Sequence, residues 1–331
     1  FLPLGLLGGS LLFGPIVDRF GHKALLLLSC LVVLLGLEGI AFFTSIPLLQ
    51  VSIIGIGLGG GILNGETNAL VADISNEAEK GSRLSLLGAF YGIGALGIPV
   101  LLSFLSEYYS FEIILQGTGM VMLIGILFCL GIRFPAPKQP QGFPIKEGLG
   151  LLKESSLLLL SFILFFQSGI EGVCNNWTTL YLGQTTGIPE NRALIALTCM
   201  VAGLTVARLL LVVLFKKIKQ ETVLRTSLIT AVAGFALLTF APGFARAAIG
   251  MALIGAGLAS TFPVILSIIG SRYASLSGTA FSVALVIALI GQTLLNSLTG
   301  IISQGYGIVV YPYMMIVSLL IMLLLFKRSL K

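Results

Sequence analysis

Apolar residues run along this chain in blocks of about twenty, broken by short polar stretches. A block of that length, coiled as an α-helix at about 1.5 Å per residue, matches the roughly 30 Å hydrocarbon core of a bilayer. Eleven such blocks are read, at residues 1 to 17, 24 to 44, 48 to 72, 84 to 106, 112 to 132, 156 to 182, 193 to 215, 223 to 241, 246 to 270, 279 to 303 and 306 to 326. Between the fifth and sixth lies PAPKQPQGFPIKEG, residues 135 to 148, whose prolines, lysines and glutamines mark a linker. The pattern predicts an all-α membrane protein of two helical bundles, residues 1 to 134 with five spans and residues 149 to 331 with six.

Polar residues inside the blocks point to chemistry. The third block contains GIGLGGGILNGETNALVAD, residues 55 to 73, with Glu66 well inside it, and an intramembrane carboxylate is costly. At about 100° per residue, Gly59, Glu66 and Asp73 share one stripe while Asn64 and Asn68 point to the other side. Neither face suits lipid, which predicts a helix buried in a bundle and lining a wet cavity.

The sixth block reads FFQSGIEGVCNNWTTLY over residues 165 to 181, with Gln167, Glu171, Asn175 and Thr178 forming one polar stripe. Amides and a carboxylate on a cavity wall offer the directional donors and acceptors that replace the hydration of a polyhydroxy solute. The same groups also serve as hydrogen-bond glue between helices, and for Glu171 both readings stand. Trp177 and Tyr181 read either as platforms for an apolar sugar face or as aromatics anchoring the outer interface. Gln292, Asn296 and Thr299 form a third stripe, again either cavity-facing or structural. Arg208, about 12 Å along its helix from Lys216, reads as a snorkelling side chain, and Glu38 as a structural partner.

Composition agrees with the block pattern. The chain has 331 residues, 56% hydrophobic and only 10% charged, with a mean hydropathy of +1.07, far from the balance of soluble domains. Its net charge of +6 lies in short loops, so it reads as a topology signal and nucleic-acid binding is excluded. With the Asp18 to Lys23 turn cytoplasmic, sixteen of the nineteen Lys and Arg fall on that side, Arg192 and Arg246 lie opposite, and Arg208 lies within a span. This orientation puts the C-terminus in the cytoplasm and the linker with it. It also leaves a helix that enters from the cytoplasm to be expected before Phe1, and the chain does not start with Met.

Enzymatic readings lack their parts. His22 is the single histidine, the only aspartates are Asp18 and Asp73, and Cys30, Cys129, Cys174 and Cys199 lie in apolar spans without a CxxC pair. No cofactor, resident metal or disulfide framework is expected, and the cysteines read as small packing residues.

The sharpest motif is Gly14-Pro15-Ile16-Val17-Asp18-Arg19-Phe20-Gly21-His22-Lys23, at the turn between the first two spans. A tight glycine turn there holds an aspartate and basic groups at a helix end, where ion pairs form and break between conformations. The motif resembles the GxLaDRxGRK signature of the major facilitator superfamily, with Pro15 and His22 as departures. Within that superfamily the chain is most similar to the fucose and glucose symporter family of sugar porters. Glu66-Thr67 resembles that family's ETAANP segment, Arg83-Leu84 with Ala89-Phe90-Tyr91-Gly92-Ile93-Gly94 resembles RLNLAQAFNGLG, and GLASTFP at 257 to 263 resembles a later glycine-to-Phe-Pro helix. Gly88 and Tyr91 replace the family's Gln and Asn, and Leu70-Val71 replaces its Asn-Pro.

The resemblance implies a major-facilitator-type two-bundle fold, with eleven of twelve transmembrane helices in this chain. A faint repeat at an offset of 200 residues, Gly57-Leu58 against Gly257-Leu258, agrees with two six-helix halves. The resemblance also implies an inner gate in which Asp73 and Arg83 meet Asp18 and Arg19; as a charge run, Asp73 to Arg83 reads equally as a solvated loop.

The expected function is secondary active transport of a small polar solute, above all a sugar, by a monomer in the plasma (inner) membrane. Glu66 is the expected coupling carboxylate, with a proton as coupling ion and sodium as the alternative. Gln167, Glu171, Asn175, Trp177, Gln292 and Asn296 are the expected solute ligands. Two rival functions are kept: a drug or other solute exporter of the same fold, and a non-transporting membrane sensor or scaffold.

Overall fold

The apolar blocks become helices because a backbone that cannot bond to lipid must bond to itself. The computed structural model describes residues 1 to 140, 142, 144 to 240 and 243 to 329. Gln141 and Phe143 of the expected linker, Ala241 at the end of the expected eighth span, and Lys331 among the expected cytoplasmic charges lie outside the described residues.

Thirteen α-helices follow one another among the described residues: α1 (Leu2–Phe20), α2 (His22–Phe42), α3 (Ile46–Asp73), α4 (Lys80–Leu105), α5 (Phe111–Gly131), α6 (Ile145–Leu151), α7 (Ser155–Thr186), α8 (Glu190–Leu214), α9 (Gln220–Phe240), α10 (Phe244–Leu258), α11 (Thr261–Arg272), α12 (Ser277–Tyr306) and α13 (Tyr311–Ser329). Ten spans are long and apolar enough to cross a membrane, α10 and α11 counting as one. The expected first span, α1, is helical over 19 residues, though it carries four glycines and ends on Asp18 and Arg19. The protein is an integral membrane protein. Large apolar side chains such as Leu31 and Leu35 of α2 and Leu210 and Val213 of α8 are exposed, as lipid-facing positions must be.

Two differences from the expected blocks have local causes. The linker does not run unbroken to residue 148, because Ile145–Leu151 forms the short helix α6. The ninth block is broken at Leu258 by Pro263, which has no N–H for the carbonyl four residues earlier and crowds it with its ring. Where α10 ends, the carbonyl of Leu258 accepts from Gln167 Nε2 at 3.1 Å.

The chain divides into two units. The first comprises Phe1–Ile74, Gly97–Glu154 and Ile269–Val286, and the second comprises Ser75–Leu96, Ser155–Ile268 and Ile287–Lys331. In the first, α1 and α3 approach backbone to backbone: a Cβ on Gly5 or Gly9 would strike the α3 main chain, and one on Gly57 or Gly61 the α1 main chain. Small residues four apart on both helices are the membrane route to such close packing. Phe13 of α1, fully buried, then lies flat over Gly65 of α3. On its other side α3 packs against α2, which in turn packs against α5.

In the second unit, α10 packs between α8 and α9, and α7 packs against α13. The α7–α13 seam is a polar junction within the core: fully buried Tyr311 shares a 3.0 Å hydrogen bond with Thr178, donates to Cys174 Sγ at 3.3 Å and meets the Tyr181 ring edge-on at 5.3 Å. Buried hydroxyls paired in this way satisfy groups that would otherwise cost free energy in an apolar interior.

Candidate functional site

The first unit gathers its charged residues where α1, α2 and α3 end beside the start of α12. Gly21 alone separates α1 from α2, with φ 82 and ψ 170, a left-handed backbone that a residue without Cβ adopts at no steric cost. The turn is so short that Asp18 leaves α1 toward one neighbour while His22, the first residue of α2, leaves toward another.

Asp18, 2% exposed, caps α12 from another helix. Its Oδ1 accepts from the Gly278 N–H at 3.1 Å, and its Oδ2 accepts from the Thr279 N–H at 2.8 Å and the Thr279 hydroxyl at 2.6 Å. A helix begins with N–H groups that lack partners and with a partial positive charge, and a carboxylate answers both.

His22, 4% exposed, lies between two carboxylates of α3. Its Nδ1 is 3.1 Å from Glu66 Oε1 and its Nε2 is 3.0 Å from Asp73 Oδ2. The other Asp73 oxygen accepts from Lys138 of the linker at 2.7 Å and from Ser277 of α12 at 2.9 Å, and Lys138 also bonds to the Ser277 hydroxyl. Gln139 extends the tie, its N–H bonding to the Asp18 carbonyl at 2.8 Å and its side chain to the Ser275 carbonyl at 3.2 Å. Lys23 turns the other way and caps the end of α5 at the carbonyls of Leu130 and Ile132. One network thus runs from Glu66 through His22, Asp73 and Lys138 to the first turn of α12.

Of the four expected gate residues, the structure brings Asp18 and Asp73 into this network. Arg19 is exposed, its guanidinium 4.9 Å over the Phe20 ring, and Arg83 pairs with Glu79 at 2.7 Å in the second unit. Glu66 is fully buried against α2, not on an open wall, and its Oε2 has no partner among the described residues. The open face of α3 is the opposite one, where Asn64 is exposed and Asn68 half-buried.

The second unit carries the amide residues. Asn176 of α7 donates to Asn296 Oδ1 at 2.8 Å, and Asn296 donates to its own helix at the Gln292 carbonyl at 2.7 Å. Asn176, Trp177, Leu180, Asn296 and Ser297 line a shallow pocket of about 370 Å³. The indole of Trp177 lies across Gly300, with Gln292 exposed further along α12. Asn175 is exposed, Glu171 is half-buried, and Gln167 is fully buried, held by Leu258 and weakly by Glu171 at 3.5 Å.

Three expected placements are corrected here. Tyr181 neither meets solute nor anchors an interface: it is buried, donating to the Leu238 carbonyl at 3.1 Å. Arg208 does not snorkel. It is 6% exposed, and its Nη1 donates to the Gly88 carbonyl at 3.0 Å, in a slot left by the missing Gly88 side chain and within electrostatic reach of Glu171. Glu38 has no pairing partner among the described residues and packs against Gly119 of α5.

Comparison with known proteins gives the family. The Major Facilitator Superfamily profile matches residues 2–291. The chain belongs to that family. It is a transporter and not an enzyme. This facilitator is 24% identical to the glucose/mannose transporter GlcP of Bacillus subtilis over 330 residues, covering 91% of this chain and 79% of GlcP. It is 30% identical to the multidrug resistance protein MdtH of Aeromonas hydrophila over 163 residues, 49% of this chain and 39% of MdtH. Among solved structures, the E. coli fucose:proton symporter FucP superposes with a TM-score of 0.80 at 19% identity, covering 99% of this chain and 91% of FucP, a likeness of fold.

Two residues of these clusters escape sequence reading. His22 passes for an ordinary basic residue after a glycine, and only the seven-residue spacing of Glu66 and Asp73 hints that one group could meet both. Asn176 is hidden by its neighbour Asn175, which continues the stripe that starts at Gln167.

Proposed function

We propose that this facilitator is a sugar transporter of the plasma membrane, driven by protons and working as a monomer through alternating access of two bundles, residues 1 to 134 and 149 to 331. In this reading its eleven spans place the Asp18 to Lys23 turn, the 135 to 148 linker and the C-terminus in the cytoplasm. The network around Asp18 and Asp73 serves as the inner gate, Arg19 and Arg83 are further gate residues, and Glu66 is the coupling carboxylate. Sodium is the ion the same assays would reveal in place of protons.

The supporting observation is the wall formed by Asn176, Asn296 and Trp177. Two amides in mutual contact present further donors and acceptors, and an indole beside them offers a flat apolar face. Sugars have the matching pair of surfaces, hydroxyl edges and C–H faces. Glu171, Asn175 and Gln292 extend the polar lining on the same two helices, with Gln167 buried behind them. The family resemblance to the sugar porters and the likeness to GlcP point the same way.

Asn296→Ala and Trp177→Ala are expected to weaken hexose binding by about tenfold or more each, the scale of one well-made polar contact or ring stack lost from a closed site. Hexose-induced stabilisation of the purified protein, titrated for wild type and both variants, measures this. Equal affinity in all three removes the wall from the site. Stabilisation by lipophilic cations and by no sugar favours the exporter reading, and stabilisation by neither favours the sensor.

A further inference from the structure

The His22 contacts impose a proton count. A neutral imidazole has one N–H and one lone pair, so with both carboxylates ionised it can serve only one of them. In the other contact a ring lone pair would face a carboxylate oxygen at about 3 Å, an arrangement that is repulsive and, at 4% exposure, unrelieved by water. The geometry as it stands therefore needs one proton more. Either the ring is an imidazolium, or one carboxylate is an acid that donates to the ring.

The surroundings decide which carboxylate shares the extra proton. Asp73 is held as an anion by Lys138 and by the hydroxyl of Ser277. Glu66 has no such support: its Oε2 is buried without a partner among the described residues, and the thiols Cys30 and Cys129 lie within its electrostatic reach. Asp18 is occupied by α12, and Lys23 by the end of α5. The two carboxylates sit at opposite edges of the ring, and among the described residues no group of three His, Cys, Asp or Glu is placed to hold a metal ion. The ligand that fits is a proton.

We propose that His22 and Glu66 together bind the coupling proton, shared across the Nδ1–Oε1 contact, and that Asp73 with Lys138 reports its presence to α12. This rests on the reading of the chain as a proton-coupled transporter and extends it from one carboxylate to a two-residue site. When the proton leaves, the one remaining ring N–H can hold Glu66 or Asp73 but not both. One contact then opens. Because Asp73 continues through Lys138 and Ser277 to the start of α12, a change at the ring reaches the helix that Asp18 caps. Imidazole suits this duty, since its protonation changes in the range in which cells operate.

His22 is the only histidine in the chain, so ¹⁵N-histidine labelling of the tag-free protein gives one pair of ring signals with no assignment problem. Between about pH 5 and 9 the wild type is expected to hold two ring or ring-shared protons at the acid end and release one as pH rises. Glu66→Gln is expected to displace that transition by about one pH unit or more. In proteoliposomes, His22→Gln is expected to lower proton-driven accumulation, taken relative to counterflow, by about tenfold or more. A single ring N–H unchanged over the whole range, a transition indifferent to Glu66→Gln, or full accumulation in His22→Gln overturns the proposal. Absence of sugar counterflow in the wild type overturns the transport reading instead, while the ring signals still test the proton site.

Discussion

Asp18→Ala lowers the unfolding free energy of the protein by about 3 kcal/mol, an estimate built from a lost helix cap and from hydrogen bonds to a charged acceptor. The carboxylate accepts three hydrogen bonds, two of them from the main-chain N–H groups of Gly278 and Thr279. Alanine leaves those donors buried beside α1 with nothing to bond, and the cost of an orphaned donor exceeds the value of the bond itself. It also removes the negative charge that answers the helix dipole of α12. Asp18→Asn keeps an acceptor of nearly the same shape and is expected to cost about half as much, since the charge is lost but one lone pair can still be used. Thermal or denaturant unfolding in detergent, with both variants on the same scale, measures the difference. A loss below about 0.5 kcal/mol for Asp18→Ala would place the residue among ordinary surface groups, for which changes of that size are typical.

Glu66→Gln is expected to reduce gradient-driven sugar accumulation by about tenfold or more, because a coupling of that size requires a difference of at least 1.4 kcal/mol between the two conformations and the amide removes it. The substitution preserves shape and one oxygen, so it isolates the proton from the packing. The Gly65–Phe13 contact beside it stays intact, and folding should be little affected. Accumulation and counterflow measured in the same vesicles separate the outcomes. Accumulation equal to wild type would remove Glu66 from the coupling site.

How far this molecule can be read from its sequence depends on the range of each signal. The spans are legible because hydropathy is a local property, and they survive to within a few residues wherever no proline intervenes, as Pro263 does. The role of Asp18 is legible as a helix-end charge, although its partners lie 260 residues away and had no local sign. Helical phase finds Glu66 and Asp73 on one face. It says nothing of what that face meets, and so His22, 44 and 51 residues distant, is missed.

The stripe on α7 fails for a related reason. Phase groups Gln167 with Thr178 correctly, but those two face partner helices and hydrogen-bond there, to Leu258 and to Tyr311. The open amide, Asn176, is on nearly the opposite side, at about 180° from Gln167. A polar stripe therefore marks where hydrogen bonds are needed, and only the packing tells whether solute or protein supplies them. Arg208 makes the same point. Distance along the helix allows it to snorkel, whereas the space above Gly88 lets it bond inside.

Sugar-driven proton movement tests the proposed function most directly. The purified protein is reconstituted into vesicles with a pH-sensitive dye inside, the membrane potential is clamped, and a hexose is added outside without a pH gradient. Proton symport predicts that the lumen acidifies as the sugar enters, and that Glu66→Gln and His22→Gln each abolish the change. Sugar entry with no change of internal pH would contradict it.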